Sequence, residues 1–149
     1  PSSPTRRRSM GDQQTRKRRP DWRTRLHGEL AASQVRPFEW GSNDCALFAM
    51  RCVEAMTDDN PAATVAGKYK TAMGAAGVIK RAGHATLQEF AAANFPAIHP
   101  SRANTRDLAA VQTDDGIALG IFSRDRVHVM RRDGLGTLPR SAAVAAFRV

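Results

Sequence analysis

A chain of 149 residues is the length of one domain with a real hydrophobic core, and it carries a net charge of +9 at pH 7. No window approaches the roughly 18 apolar residues of a membrane-spanning helix, and the Arg-rich start lacks the apolar stretch of a secretory signal. The two cysteines, Cys45 and Cys52, fall two turns apart on one expected helix. That is about 10 Å, beyond disulfide reach, and reduced thiols fit a protein assembled in a cytoplasm.

The charge is concentrated at one end. Residues 1–25 hold nine Arg and Lys against Asp12 and Asp21, a net of +7, which leaves +2 for the rest of the chain. We therefore divide the sequence into a basic arm, 1–19, and a nearly neutral domain, 20–149. Within the arm, Arg6, Arg7, Arg8, Arg16, Lys17, Arg18 and Arg19 are candidate partner-binding residues. Such arms bind nucleic acid or an acidic protein groove, or are simply solvated. No aromatic precedes Trp22 to stack on bases, so nucleic acid is not the expected partner.

Pro20-Asp21 opens the first element: Asp21 can cap a helix whose apolar line is Trp22, Leu26 and Leu30. His27 lies beside that line, at a surface or boundary position. Pro37 ends the run, because the residue before a proline is driven extended. Phe38 and Trp40 then point to one side of a short extended piece that packs under the next helix, and both tryptophans read as core or interface aromatics. Gly41 allows a positive φ or a close backbone approach. Asn43 is the expected N-cap, with Asp44 and Cys45 in the first turn of a helix whose buried stripe continues through Met50, Val53 and Met56. This address sets the Cys45 thiol among unpaired amides at the positive end of a helix dipole, which favours thiolate. Cysteine also serves as core filler, and position alone leaves both roles open. Asp44 reads as a charge complementing the dipole and not as a catalytic acid.

Residues 57–61 form a loop rich in turn formers, and 62–69 predict a weak helical segment ending near Gly67. Thr71 caps a helix through Arg81, closed by Gly83, and Thr86-Leu87-Gln88-Glu89 matches a capping box for a helix over 87–93. The hydroxyl of Tyr69 could reach a buried partner. His84 and His99 have no second ligand at metal spacing, so no metal site and no cofactor is expected. From Asp107 the texture becomes short β-like runs at 108–112, 117–122, 126–131 and 144–149, separated by turns at Asp114-Asp115-Gly116, Ser123-Arg124-Asp125 and Asp133-Gly134. In the third run Val127 and Val129 face one side, His128 and Met130 the other. Arg131-Arg132 reads as a solvated strand end. Helices first and an antiparallel sheet last is an α+β order.

That order brings a family into view. Trp40-Gly41-x-x-Asp44-Cys45-x-x-Phe48 resembles the nucleophile segment of NlpC-type cell-wall peptidases, a papain-like superfamily in which the Asp-Cys pair opens the central helix. A wider set is similar to a small family of phage and gene-transfer-particle proteins encoded among tail-tip genes. It comprises Pro20-Asp21-Trp22, Arg36-Pro37-Phe38, the Cys45 segment, Tyr69-Lys70-Thr71, Leu119-Gly120-Ile121, Gly134-Leu135 and Ala146-Phe147-Arg148-Val149. The resemblance implies a papain-like NlpC-type domain with Cys45 matching the nucleophile. The enzymes place their general-base histidine at the start of a strand reading His-Val-Gly-Ile. Here that stretch is Ala118-Leu119-Gly120-Ile121, so Ala118 stands at the base position. His128 falls where the enzymes carry their third, orienting residue, and Arg106-Asp107 stands in place of their Gly-Asp.

A cysteine peptidase needs a base within hydrogen-bond reach of its thiol, and a side chain one strand over is about 4.8 Å displaced. The expectation is therefore a structural tail-tip protein on a degenerate peptidase fold. It would belong to the virion and be assembled in the bacterial cytoplasm, with the arm contacting neighbouring tail-tip proteins and peptidoglycan as a further partner. One alternative is a working peptidoglycan peptidase using Cys45 and His128, with Asn43, Asp44 and Gly41 supporting the helix start. Another is a basic nucleic-acid-binding adaptor.

Overall fold

The computed structural model describes residues 16–149, so the expectations for Arg6, Arg7 and Arg8 lie outside the described residues. Four helices come first: α1 (Trp22–Gln34), α2 (Cys45–Thr57), α3 (Ala72–Arg81) and α4 (Leu87–Asn94). Six strands follow: β1 (Ala97–Ile98), β2 (Leu108–Thr113), β3 (Gly116–Ser123), β4 (Arg126–Arg131), β5 (Gly134–Pro139) and β6 (Ala143–Phe147). They form one antiparallel sheet in the order β1-β6-β2-β3-β4-β5. The architecture is α+β. Among the described residues, no helix is long and apolar enough to cross a membrane.

Strand alternation sorts the side chains into two cores. Leu108, Ala110, Leu119, Ile121, Met130 and Phe147 join the cluster built around α2, where Phe48, Met50, Val53 and Met56 are all fully buried. Ala109, Val111, Ala118, Phe122, Val127, Val129 and Ala146 form a second cluster. The predicted split of the 126–131 run is observed: Val127 and Val129 belong to the second cluster and Met130 to the first. Trp22 and Leu26 are buried in the first cluster and Leu30 packs against it, while His27 is exposed.

The caps predicted for α3 and α4 form. Thr71 Oγ1 accepts from the Gly74 amide at 3.0 Å and Thr86 Oγ1 from the Glu89 amide at 3.1 Å. Glu89 reaches back one residue further than a capping box requires, to the Ala85 amide at 2.9 Å. Asp21 occupies the N-cap position of α1 but makes no side-chain cap bond.

Three elements depart from expectation. Residues 62–69 are a series of turns, not a helix. Gly67 takes φ +80, and its amide leaves the local turn to donate to the Gly41 carbonyl at 2.8 Å. β5 is absent from the expected β-like runs, and Gly134, Gly136 and Pro139 are poor strand formers, yet it pairs with β4 from Arg131↔Gly134 to Arg126↔Pro139. As an edge strand it tolerates its terminal proline. β1 is only two residues long and is defined by its pairing with β6, a long-range partner that local pattern does not reveal.

Two backbone features shape the sheet. Gly120 is packed so closely that a Cβ there would lie 2.5 Å from the His128 carbonyl oxygen, and within 3 Å of Val127 and Val129 side-chain atoms. Asp107, fully buried, ties the start of β2 to the end of the chain. Its Oδ1 accepts from the Val149 amide at 3.0 Å and its Oδ2 from the Asn104 amide at 2.8 Å. Arg106, just before it, adopts φ +112, a conformation that favours glycine. Asp107→Ala should leave two amides without their acceptor and lower the unfolding free energy by about 1–3 kcal/mol. Urea unfolding checks this, and an unchanged midpoint would show that the carboxylate does not hold this corner.

Candidate functional site

The site is built at the N-terminus of α2. The N-cap is Asp44 and not Asn43 as expected: its Oδ1 accepts from the Leu47 amide at 3.0 Å. Asn43 is displaced from that role because its own backbone is engaged in a tight turn, exchanging hydrogen bonds with Glu39 at 2.8 and 3.1 Å. Its side-chain amide donates to the Pro37 carbonyl at 2.7 Å, and its Oδ1 accepts from Arg51. Arg51 in turn pairs with Glu29 at 3.3 Å, and Glu29 with Arg36 at 2.9 Å. The turn is thus clamped between α1 and α2.

The second oxygen of Asp44 accepts from the Gly41 amide at 3.0 Å and from the Tyr69 hydroxyl at 2.5 Å. Tyr69 thereby finds the buried partner its sequence position suggested. Its phenol pKa is raised, first by burial and then by the bond and charge of Asp44. Gly41 is required here on two counts. It has φ +87, and a Cβ would sit 1.9 Å from the Tyr69 carbonyl oxygen.

Cys45 begins α2 and packs against the second cluster, the one that contains Ala118. Though the residue keeps some exposed surface, its sulfur is densely surrounded, and the thiol is pushed up to about 12. Burial is the main cause and Asp44 adds to it, while backbone amides of Leu119, Ala46 and Cys45 itself act in the opposite direction. The expected thiolate stabilisation at the helix start is present but outweighed. Cys52, fully buried in the first cluster, is also a free thiol with a raised pKa.

His128 stands opposite Ile121 on β3, three residues from Ala118. It is half-buried, with Nδ1 buried and without a hydrogen-bond partner among the described residues. Its pKa is lowered by burial alone, with no charge or hydrogen bond from Cys45 or any carboxylate contributing. The site therefore brings Gly41, Asn43, Asp44 and Cys45 together, and couples neither His128 nor any other imidazole to the sulfur. Among the described residues no group of three metal-ligating side chains occurs. Sequence reading missed the Glu29–Arg51–Asn43 clamp and the Asp107 anchor. An acidic residue directly ahead of an apolar strand was the available signal for the latter.

The described part of the arm folds back on the domain. Arg16 pairs with Asp59 at 2.7 Å and lies 4.2 Å over the Phe95 ring. Arg18 donates to the Val149 carbonyl at 2.9 Å, Arg19 pairs with Asp58 at 2.8 Å, and Lys17 is exposed. Trp40 sits edge-on to Phe38 with ring centroids 4.9 Å apart. Arg132 lies 5.8 Å over the Trp40 ring and pairs with Asp115.

Fold and site together define a small α+β domain with a carboxylate-capped central helix and a desolvated thiol at its start. The chain belongs to a family described as a domain of unknown function, DUF6950, which matches residues 17–149. No curated protein matches it.

The thiol predicts its own reactivity. Alkylation of Cys45 by iodoacetamide should rise about tenfold per pH unit to beyond pH 10, with no plateau near the free-thiol value of about 8.5; a plateau there would mean an activated thiolate. The same shifts act on stability. The folded state holds these thiol protons more tightly than the unfolded chain, so stability should fall as pH rises above the ordinary thiol range. In a Cys45→Ala, Cys52→Ala chain, the loss between pH 9 and 11 should shrink in thermal unfolding.

Proposed function

We propose that this domain is a structural, assembly-type component of a phage-like tail tip, built on the frame of an NlpC-type papain-like peptidase whose chemistry has lapsed. The observation that carries the reading is the state of Cys45. Its thiol is pushed up to about 12, no imidazole hydrogen-bonds it among the described residues, and Ala118 stands where the resemblance implies the base. A nucleophile needs a positioned base, and losing one typically costs 10²–10⁴-fold in rate. The geometry around the thiol has a structural purpose of its own: Asp44, Gly41 and Tyr69 lock a loop to a helix. The tail-tip setting rests on the ordered resemblance from Pro20 to Val149, and the neighbours in it are other tail-tip proteins.

A second reading, a peptidoglycan peptidase using Cys45 and His128, draws on one observation. The Nδ1 of His128 is buried and unpartnered, so it is open to a proton. Against it, burial lowers the His128 pKa and no carboxylate orients the ring.

Purified protein incubated with muropeptides should release no fragments, and Cys45→Ala should behave identically. Release that disappears in Cys45→Ala would replace the structural reading with the enzymatic one. The assembly part is tested by deleting residues 1–15, which leaves Arg16–Arg19 and their contacts in place. The shortened chain should fold with an unchanged unfolding midpoint yet be depleted from assembled particles, and normal incorporation would show that the arm is not the tether.

A further inference from the structure

The sheet edge at β1 carries charge and shape that the site at α2 does not use. Among the described residues β1 is the outermost strand, paired with β6 on one side only. Beside it lies an open cavity of about 590 Å³ lined by Ala97, Ile98, His99, Ser101, Arg102 and Arg148. A second, more apolar groove of about 610 Å³ shares Ala97, Ile98 and His99 and runs on to Val144 and Phe147. Val144, at 55% exposure, is one of three large apolar side chains left in solvent among the described residues.

The cavity beside β1 is lined by Arg102 and Arg148 and by no acidic residue, while Glu89 lines the adjoining groove. Among the described residues, Arg102 and Arg148 are exposed and form no ion pair with a carboxylate, and neither does Arg23 or Arg18. The Nε of Arg18 is buried without a partner. Arg106 stands in the same field. Burial lowers its pKa, and the charges of Arg18, Arg148 and Arg23 lower it further, against the opposing charge of Asp107. Arg16, Arg19, Arg25, Arg36, Arg51 and Arg132 each reach a carboxylate, whereas Arg102 and Arg148 stand exposed beside the cavity without one among the described residues.

We propose that this edge docks an extended, acidic segment of a partner polypeptide, laid along β1 as an added strand. Its carboxylates meet Arg102 and Arg148, and its alternate apolar side chains enter the groove beside Val144. An edge strand supplies main-chain pairing, and alternation supplies two different faces. Arginine forks suit carboxylates. Residues 1–15 of this chain bring Arg6, Arg7 and Arg8, and a second copy brings +9 and the same arginines, so like charge disfavours both as occupants. Nucleic acid lacks a stacking platform, since Trp22 is only 9% exposed and Arg18, Arg23 and Arg106 lie 4.4–5.7 Å from its ring centroid. The proposal rests on this edge alone and holds whichever way Cys45 behaves.

Fluorescence polarisation on the full chain tests it with three labelled probes: a decapeptide alternating Glu and Val, one alternating Glu and Pro, and a single-stranded oligonucleotide of equal charge. The Glu/Val peptide should bind saturably, more weakly in high salt, and about tenfold more weakly to Arg102→Ala, Arg148→Ala. It should bind within about twofold to Arg81→Ala, an exposed arginine on α3 outside both cavities. The Glu/Pro peptide, which cannot donate to a strand at alternate positions, should bind markedly less well. Absence of saturable Glu/Val binding at millimolar concentration would overturn the proposal. So would equal binding of the Glu/Pro peptide, tighter binding of the oligonucleotide at the same two arginines, or no change in the double variant with its unfolding midpoint intact.

Discussion

One buried carboxylate holds the molecule's centre. Asp44, 1% exposed, accepts from the Leu47 amide, the Gly41 amide and the Tyr69 hydroxyl. An ionised carboxylate is strongly disfavoured in an apolar interior unless donors and positive potential surround it. Here the helix N-terminus supplies the potential and three donors supply the hydrogen bonds. Each donor comes from a different piece of chain, so the charge joins α2, the turn before it and the loop from 62 to 69. Remove it, and the loop loses its tether while a tyrosine hydroxyl and two amides lose their acceptor.

The same anchor works against the thiol beside it. At a helix start, amides favour a thiolate, and those of Ala46 and Cys45 do so here together with that of Leu119. Burial and the Asp44 charge act the other way and win, pushing the thiol up to about 12. A reactive cysteine at this address needs a cation or a base to offset both terms. The candidate imidazole, His128, has its own pKa lowered by burial. Electrostatics at this end of α2 anchor the loop through Asp44 and disfavour a thiolate at Cys45.

Much of this was legible from local pattern. The helix starts at Thr71 and Thr86 and the alternation of 126–131 are short-range signals, read from residues a turn or a strand apart. The sulfur's neighbourhood was only half legible. Capping rules put Cys45 at a positive helix end, but how many atoms crowd it is set by β3 and the second core cluster, remote in sequence. Asn43 and Asp44 were interchangeable on cap propensity. What decided between them was the turn from Glu39, which uses up the Asn43 backbone, and Tyr69, 25 residues on, which needs an acceptor. β5 and β1 escaped because their definition lies in pairing: two glycines and a proline in one, two residues in the other.

The far end of α2 shows why the domain reaches into what composition marks as the arm. This helix has no basic residue in its last turn, and Asp58 and Asp59 follow it, so negative charge is added to the negative end of the dipole. Isolated, that end would be strained electrostatically. The missing cations arrive from upstream: Arg19 donates its amide to the Met56 carbonyl at 2.8 Å and pairs with Asp58, Arg25 donates to the Ala55 carbonyl, and Arg16 pairs with Asp59. Exposed ion pairs of this kind contribute little stability singly, but together with the backbone bond they position a segment. Residues 16–19 therefore complete the C-terminus of the central helix, as Asp44 completes its N-terminus. The family match likewise takes in residues 17–19.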